Sequence, residues 1–206
     1  MAKTNTLTFE DAFRYPFKRA VGLLNILWFF IPIIGWFALS GYAIRIKQQF
    51  FAGMFKELPK FDFVEHFKFG FFMFIKSLPF VIAYTIFYLV FMVIPFIGFL
   101  INFFVSLFVI PILVMNFFNK ETVESYFEFS LVKLVFENFE DYLIALLKSI
   151  ALGIIFLFMM IILVGWPAGS FTKNIFLADF YGRIVAGRKA VKKVVKNNTK
   201  KKVNKK

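Results

Sequence analysis

The chain has 206 residues, of which 60% are hydrophobic and 22% aromatic, and its formal net charge is +13. An average soluble domain is about half apolar and about a quarter charged, whereas only 18% of these residues carry charge. This composition excludes a soluble single domain and a disordered chain, because the surplus apolar surface needs lipid. There is no cysteine, which excludes disulfides and thiolate metal sites.

Residues 1–20 form an amphipathic lead-in before the first apolar stretch. Thr8 and Asp11 have the spacing of a helix N-cap followed by an acid, and Asp62 and Glu65 repeat that pattern before the second stretch. Phenylalanines follow at helical spacing in both lead-ins. We therefore predict amphipathic helices that either lie in the membrane interface or extend spanning helices beyond the membrane, and the pattern leaves both alternatives open.

Three stretches contain no charged residue: 21–44, 77–119 and 149–172. The middle one has 43 residues and would span about 64 Å as one helix, twice a hydrocarbon core of about 30 Å. It must therefore turn back, and proline and glycine mark the place. Similar pairs in all three stretches predict three hairpin apices: Pro32 and Gly35, Pro95 and Gly98, Pro167 and Gly169.

These patterns predict an all-α, multi-pass integral membrane protein whose membrane domain covers residues 21–182. We expect three repeated helical hairpins, with about six membrane segments of which some are re-entrant. Hairpins would place all 25 basic residues on one side of the membrane, whereas a four-span alternative divides them 16 against 9. The positive-inside rule favours the hairpins, with both termini on the cytoplasmic side of the cell membrane.

The apolar stretches offer little chemistry. They lack Asp, Glu, Lys, Arg and His, which argues against proton-coupled transport. Three asparagines could line a polar path or bond between helices: Asn25, Asn102 and Asn116. His66 is the only histidine, and we expect it at a surface or interface. Since no metal, nucleotide or catalytic motif is visible, we predict no cofactor and no enzyme activity.

Residues 183–206 form a basic tail, with eleven basic residues and no acidic one. We expect this segment to be disordered and cytoplasmic. Each cation near an anionic leaflet contributes about 1 kcal/mol to membrane binding, so we predict contact with anionic lipid headgroups; docking on the acids between Glu121 and Asp141 is the alternative. The tail has no aromatic residue for stacking on bases, so no specific nucleic acid is expected. The predicted contact residues are Arg188, Lys189, Lys192, Lys193, Lys196, Lys200, Lys201 and Lys202.

An ordered series of motifs resembles a known family. The series comprises Tyr15-Pro16-Phe17-Lys18, Ile31-Pro32-Ile33-Ile34-Gly35, Gly41-Tyr42-Ala43-Ile44-Arg45, Glu57-Leu58-Pro59, Phe61-Asp62 and Gly70. Over most of residues 8–187 the chain resembles the prokaryotic membrane-protein family called domain of unknown function 4013. The resemblance implies a membrane protein and supplies no catalytic residues, since the family has no established activity. The lysine tail and the phenylalanine content depart from the family pattern.

Two functions remain as expectations from the sequence. The first is a non-enzymatic scaffold that forms homo-oligomers and organises or shapes the bilayer, with its basic tail at the cytoplasmic surface. The second is a transporter or permease-like subunit that moves a small solute along a path lined by the three asparagines.

Overall fold

The computed structural model describes residues 6–54, 56–94 and 96–184. Within these ranges 84% of residues are helical and no β-strand occurs, which confirms the all-α prediction. The α-helices are α1 Phe9–Arg14, α2 Ile34–Phe51, α3 Phe63–Met92, α4 Ile97–Phe104, α5 Ile110–Lys120, α6 Ser130–Glu137, α7 Phe139–Phe158, α8 Gly165–Thr172 and α9 at 175–184. Segments of 3-10 helix cover Tyr15–Phe30, Val123–Phe127 and Met159–Ile162, and a π-helical turn at Val105–Val109 joins α4 to α5.

The first two apolar stretches reverse direction through closely similar turns. Ile33 has φ 64° and ψ −66°, and Phe96 has φ 58° and ψ −59°. Residues other than glycine adopt positive φ at a cost. Each turn is closed by a backbone hydrogen bond from a glycine N–H to the carbonyl four residues earlier, at 3.0 Å for Gly35 and 2.9 Å for Gly98. Pro32 lies in the first turn, and Pro95 lies outside the described residues.

The two turn glycines are required by close backbone packing. A Cβ atom on Gly35 would lie 1.8 Å from the carbonyl oxygen of Trp28, and one on Gly98 would lie 1.6 Å from that of Phe91. In both turns the obstructing carbonyl is seven residues earlier in the chain. Any side chain at these positions would therefore push the two arms of the hairpin apart.

The third reversal occurs earlier in the chain than the position that the sequence pattern predicted. Leu163 has φ 60° and ψ −17°, and a Cβ on Gly165 would lie 2.1 Å from the carbonyl oxygen of Phe156. Pro167 and Gly169 lie inside α8. A proline in the first turn of a helix removes no intrahelical hydrogen bond, so Pro167 is tolerated as the third residue of the returning helix and does not form the turn itself.

Three helical stretches are long and apolar enough to cross a membrane: Phe63–Met92, Ile97–Lys120 and Phe139–Ile161. The described residues thus contain three candidate spans by length and composition, and the six membrane segments that we expected, some of them re-entrant, are not confirmed. Tyr15–Phe30 is a 3-10 helix interrupted at Arg19, where φ is −137° and ψ 72°. The C-terminal half of α2 carries Arg45 and Lys47, and α8 has only eight residues.

Both lead-ins begin at the predicted N-cap residues, but the first α-helix ends at Arg14 whereas the second continues to Met92. The Thr8 hydroxyl accepts a hydrogen bond from the Asp11 N–H at 3.1 Å, and an Asp62 carboxylate oxygen accepts from the Glu65 N–H at 2.8 Å. The lead-in after Asp62 runs without interruption into the apolar part of α3. For this segment the structure shows an extension of a long helix and not a separate interfacial helix.

Helix α9 lies at the centre of the molecule. Residues 175–182 are all buried, and aromatic side chains from three other helices pack against it. Phe9 of α1 stacks on Phe176 with ring centroids 6.0 Å apart. Phe51 of α2 packs on Tyr181 at 5.1 Å, and Tyr142 of α7 packs on Phe180 at 5.3 Å.

The charged segments of the chain contact one another at one end of the molecule, which we call the charged end. The 1–20 segment reaches the segment after α2 through the Arg19 guanidinium, which donates to the Leu58 carbonyl at 3.2 Å. Arg45 at the C-terminal end of α2 pairs with Glu121 after α5 at 3.6 Å. Arg183 of α9 lies 3.5 Å from Asp141 at the start of α7.

Replacement of the second turn glycine tests this geometry. In Gly98→Ala the added methyl meets the Phe91 carbonyl, so we expect the free energy of unfolding to fall by about 1–3 kcal/mol, the usual cost of overpacking. Gly153→Ala is the matched control, because a Cβ at Gly153 meets no atom within 4 Å and alanine favours a helix. Thermal unfolding in detergent measures both variants. Equal unfolding temperatures for the two would contradict the turn.

Candidate functional site

The three predicted asparagines occupy three separate environments. Asn25 is half-buried beside the Tyr42 hydroxyl. The Asn102 amide donates to the Tyr88 carbonyl across the second hairpin at 3.4 Å, while its own buried carbonyl oxygen has no partner among the described residues. Asn116 is fully buried at the charged end. The structure does not bring the three together along one path.

Asn116 lies at the centre of a buried polar cluster. Its amide donates to the Ser125 carbonyl at 2.6 Å, and its carbonyl oxygen accepts from the Tyr181 hydroxyl at 2.7 Å. The Asn119 amide donates to the same hydroxyl at 3.3 Å. This cluster joins α5, the Val123–Phe127 segment and α9. Asn116 therefore acts as a packing contact between helices, which is the role that such residues commonly have in membrane proteins.

Asp179 is the second buried polar group on α9. Its carboxylate accepts from the Leu7 N–H at 3.4 Å and from Arg183 Nε at 3.1 Å. Burial raises the pKa of Asp179, and the neighbouring Arg183 opposes that shift. The carboxylate thus fastens the N-terminal segment to α9. Sequence reasoning missed this helix, although its apolar residues on every face are the pattern of a buried helix.

Residues that carry the family resemblance converge on Tyr42 of α2. The Tyr42 hydroxyl donates to the Pro59 carbonyl at 3.0 Å, and its ring packs edge-on against Phe61 and His66, both at 5.3 Å. Burial raises the pKa of Tyr42 to about 12. His66, which we expected at a surface or interface, is only 4% exposed, because it is enclosed by these rings.

Close approach of α2 and α3 fixes this cluster. A Cβ on Gly41 would lie 2.1 Å from the His66 carbonyl oxygen, and one on Gly70 would lie 2.0 Å from that of Phe37. Both glycines belong to the motifs that carry the resemblance. The Tyr42 cluster holds helices in contact, and no group of His, Asp and Glu side chains that could hold a metal ion occurs among the described residues.

A groove of about 690 Å³ lies between α2, α3 and α5. Its walls are mainly apolar, and Lys47 is the one charged side chain among the residues that line it. The lining residues are Ile33, Trp36, Phe37, Ser40, Ala43, Ile44, Lys47, Gly70, Met73, Phe74, Ser77, Phe117, Phe118 and Tyr126. Lys47 is 8% exposed. Burial, with a smaller contribution from the positive charge of Lys173, lowers the pKa of Lys47 to about 8.

Sequence reasoning did not single out Lys47 or the groove. Lys47 follows the first apolar stretch, and in the sequence it resembles the other cations of a charged loop. Its burial depends on α5, which is some seventy residues away in the chain. The predicted tail contacts, from Arg188 to Lys202, lie outside the described residues.

Comparison with known proteins agrees with the motifs. The family described as Protein of unknown function (DUF4013) matches residues 24–165. The chain belongs to this family. The match covers α2 to α7 and contains Gly41, Tyr42 and Gly70, so the crossing of α2 and α3 lies within the family region. No curated protein and no solved structure matches the chain.

The Asn116 cluster gives a test of how α9 is held. Tyr181→Phe removes the hydroxyl and leaves the buried Asn116 carbonyl oxygen unpaired, which should lower the free energy of unfolding by about 1–3 kcal/mol. Tyr88→Phe is the control, because Tyr88 is an exposed tyrosine on α3 and its backbone carbonyl, the acceptor for Asn102, is unchanged. The expected result is a lower thermal unfolding temperature for Tyr181→Phe alone. Two variants that unfold together would show that the cluster contributes little.

Proposed function

We propose that this protein is a non-enzymatic, oligomeric membrane scaffold that shapes the bilayer by occupying one leaflet more than the other. The observation that carries this proposal is the unequal length of the uncharged arms. Both arms of the second hairpin are long enough to cross the membrane, whereas charged residues come close to the turn of the first hairpin. In the third hairpin Phe139–Ile161 is also long enough, but Lys148 interrupts it and leaves an uncharged part of about 22 Å before the turn.

Helix rise gives the arm lengths. From Ile34 to Arg45 in α2 is about 17 Å, and α8 extends about 12 Å before Lys173. By contrast, the stretch from Ile97 to Lys120 is about 36 Å long, and the hydrocarbon core is about 30 Å thick. If Arg45 and Lys173 remain near the headgroups, the first and third turns end inside the membrane. Backbone bent at that depth needs protein around it.

Contacts between these two turns supply part of that protein. Trp166 of α8 packs edge-on against Phe29 at 5.3 Å and Phe30 at 5.9 Å. Large apolar side chains near the turns nevertheless remain exposed, including Phe30 and Ile161. Neighbouring copies of the chain would cover this surface, which is why the proposal includes an oligomer.

The packing of the charged end supports one-sided insertion. One ion pair among the described residues, Asp141 with Arg183, joins segments that the four-span alternative would place on opposite sides of the membrane, and so does the hydrogen bond from Arg19 to the Leu58 carbonyl. Most buried side chains also lie toward this end, while the residues around the turns are mostly exposed. A body that is broad at one surface and thin at depth expands one leaflet. By the positive-inside rule that leaflet is the cytoplasmic one, with both termini beside it.

The transporter alternative lacks comparable support. It needs a continuous polar path, and its three candidate residues, Asn25, Asn102 and Asn116, have separate partners. The basic tail adds attraction to the anionic leaflet in the scaffold proposal and has no evident role in solute movement.

Cysteine labelling distinguishes the depths of the turns, because the chain has no native cysteine. We expect Val93→Cys, at an 80% exposed position beside the second turn, to react with a membrane-impermeant maleimide from outside the cell. Phe30→Cys and Ile161→Cys should react from neither side until detergent is added. Met54→Cys, after α2, serves as the control for the cytoplasmic side. External labelling of all three turns would contradict partial insertion.

Reconstitution tests the scaffold role directly. Purified protein in liposomes should form defined oligomers, detected by crosslinking, and should produce small or tubular vesicles visible by electron microscopy. Gly35→Leu should lose the shape effect because it opens the first turn, while Gly153→Leu should retain it. A strictly monomeric protein that leaves vesicles unchanged would contradict the proposal.

A further inference from the structure

Lys47 is a buried cation without an acidic partner. Its ammonium group donates to the Ala43 carbonyl of its own helix at 3.3 Å and lies 5.8 Å from the Phe118 ring centroid. No carboxylate of the described residues pairs with it. The nearby carboxylate of Glu121 is instead engaged by Arg45 and Gln48. A buried ammonium has three donors, so Lys47 keeps capacity for an acceptor that the described residues do not supply.

The two serine hydroxyls and the Trp36 indole N–H of the groove already have backbone acceptors. The Ser40 hydroxyl donates to the Phe37 carbonyl at 2.9 Å, and the Ser77 hydroxyl donates to the Phe74 carbonyl at 2.7 Å. The groove therefore offers a ligand a long apolar wall and one strong donor. Lys173 adds positive charge near that donor, as its effect on Lys47 shows. Burying a charge is costly unless it is paired, so an anion at this point would relieve an existing cost.

We propose that the groove between α2, α3 and α5 binds one anionic phospholipid, with an acyl chain along the apolar wall and the headgroup phosphate on Lys47. The inference deepens the proposed function and depends on insertion of the chain in a bilayer. Such a lipid would be a bound component of the charged end, distinct from lipids attracted to the basic tail.

The dimensions of the groove fit this occupant. From Ile33 to Lys47 along α2 is about 21 Å, which exceeds the hydrocarbon half-thickness of about 15 Å and leaves room for a headgroup. The volume of about 690 Å³ is within the usual range of ligand pockets, about 300–1,000 Å³. The end toward the first turn carries exposed apolar side chains, among them Trp36 and Phe74. A lipid can thus enter sideways from the bilayer with its head at the charged end.

Fluorescence quenching of Trp36 reports occupancy of the groove. We would use the full chain with Trp28→Phe and Trp166→Phe, so that Trp36 is the single tryptophan, in phosphatidylcholine bilayers. Small amounts of brominated phosphatidylglycerol or brominated phosphatidylcholine are then added. We expect the anionic lipid to quench at concentrations about tenfold lower, because both lipids offer a phosphate to Lys47 but the choline cation of phosphatidylcholine is repelled by the positive charges of Lys47 and Lys173.

Matched lysine variants assign the preference to Lys47. Lys47→Met should abolish it, because the side chain keeps its bulk and loses its charge, whereas Lys47→Arg should retain it. Lys68→Met is the control for net charge, since Lys68 is an exposed residue of α3 outside the groove. Circular dichroism confirms folding of each variant. An equal preference for the anionic lipid in Lys47→Met and Lys68→Met would overturn the proposal.

Two further outcomes separate this inference from others. Stronger quenching by a brominated free fatty acid than by brominated phosphatidylglycerol would show that the groove binds a fatty acid and would overturn the phospholipid assignment. If neither brominated phospholipid quenches Trp36 although the protein shapes vesicles, the groove inference fails and the scaffold proposal stands. A Lys47-dependent preference in a protein that does not shape vesicles has the opposite meaning: the groove assignment stands and the scaffold proposal fails.

Discussion

The burial of α9 is the constraint on which the charged end depends. A helix enclosed on all faces must pair every polar side chain that it carries, because an unpaired buried carboxylate or amide costs several kcal/mol. Asp179 meets this requirement through the Leu7 N–H and Arg183, and Tyr181 meets it through Asn116. These partners come from the N-terminal segment, from α5 and from α9 itself. The segments must therefore assemble together around α9, and the hairpins extend from that assembly.

The hairpins, in contrast, depend on local backbone geometry. Gly35 and Gly98 allow each chain reversal within a few residues. Across the first turn the Trp36 indole N–H also donates to the Phe29 carbonyl at 3.0 Å. Around the turns little is buried, since the second half of α3 and α4 contact mainly each other. The molecule thus combines a closely packed charged end with slender apolar arms. In water the arms would collapse or aggregate, whereas in lipid their exposed surface carries no penalty.

The sequence predicted the features that depend on neighbouring residues. The caps at Thr8 and Asp62 and the reversals at Gly35 and Gly98 follow from residue types within one or two turns of chain. The third turn was predicted too late in the chain because Pro167 and Gly169 resemble the residues of the other two apices. In the structure Gly165 is the glycine whose added Cβ would meet a backbone carbonyl oxygen. The six expected membrane segments are not confirmed, because residues 15–30 form a 3-10 helix and α8 is short, so neither qualifies as a full span.

Features that depend on contacts distant in the sequence could not be predicted in this way. The burial of His66 requires the crossing of α2 and α3, and the burial of Lys47 requires α5 and the segment that follows α8. The candidate site falls in this class: Lys47 looks like an ordinary loop cation until Phe118 is placed beside it. In the sequence, only the apolar residues of α9 indicated that this helix is buried. The basic tail that follows it led us to predict contacts with the membrane surface instead.

The protein carries two kinds of cation, and they should meet anionic lipid in different ways. Cations on a surface attract a leaflet through water, so the interaction weakens as salt shortens the screening distance to about 8 Å at physiological ionic strength. Lys47 is 8% exposed in an apolar groove, where screening by salt is slight and each hydrogen bond is stronger. Lipid bound at Lys47 should therefore persist at salt concentrations that release lipid from surface lysines. Ionic strength thus separates the general basicity of the chain from a single site within its fold.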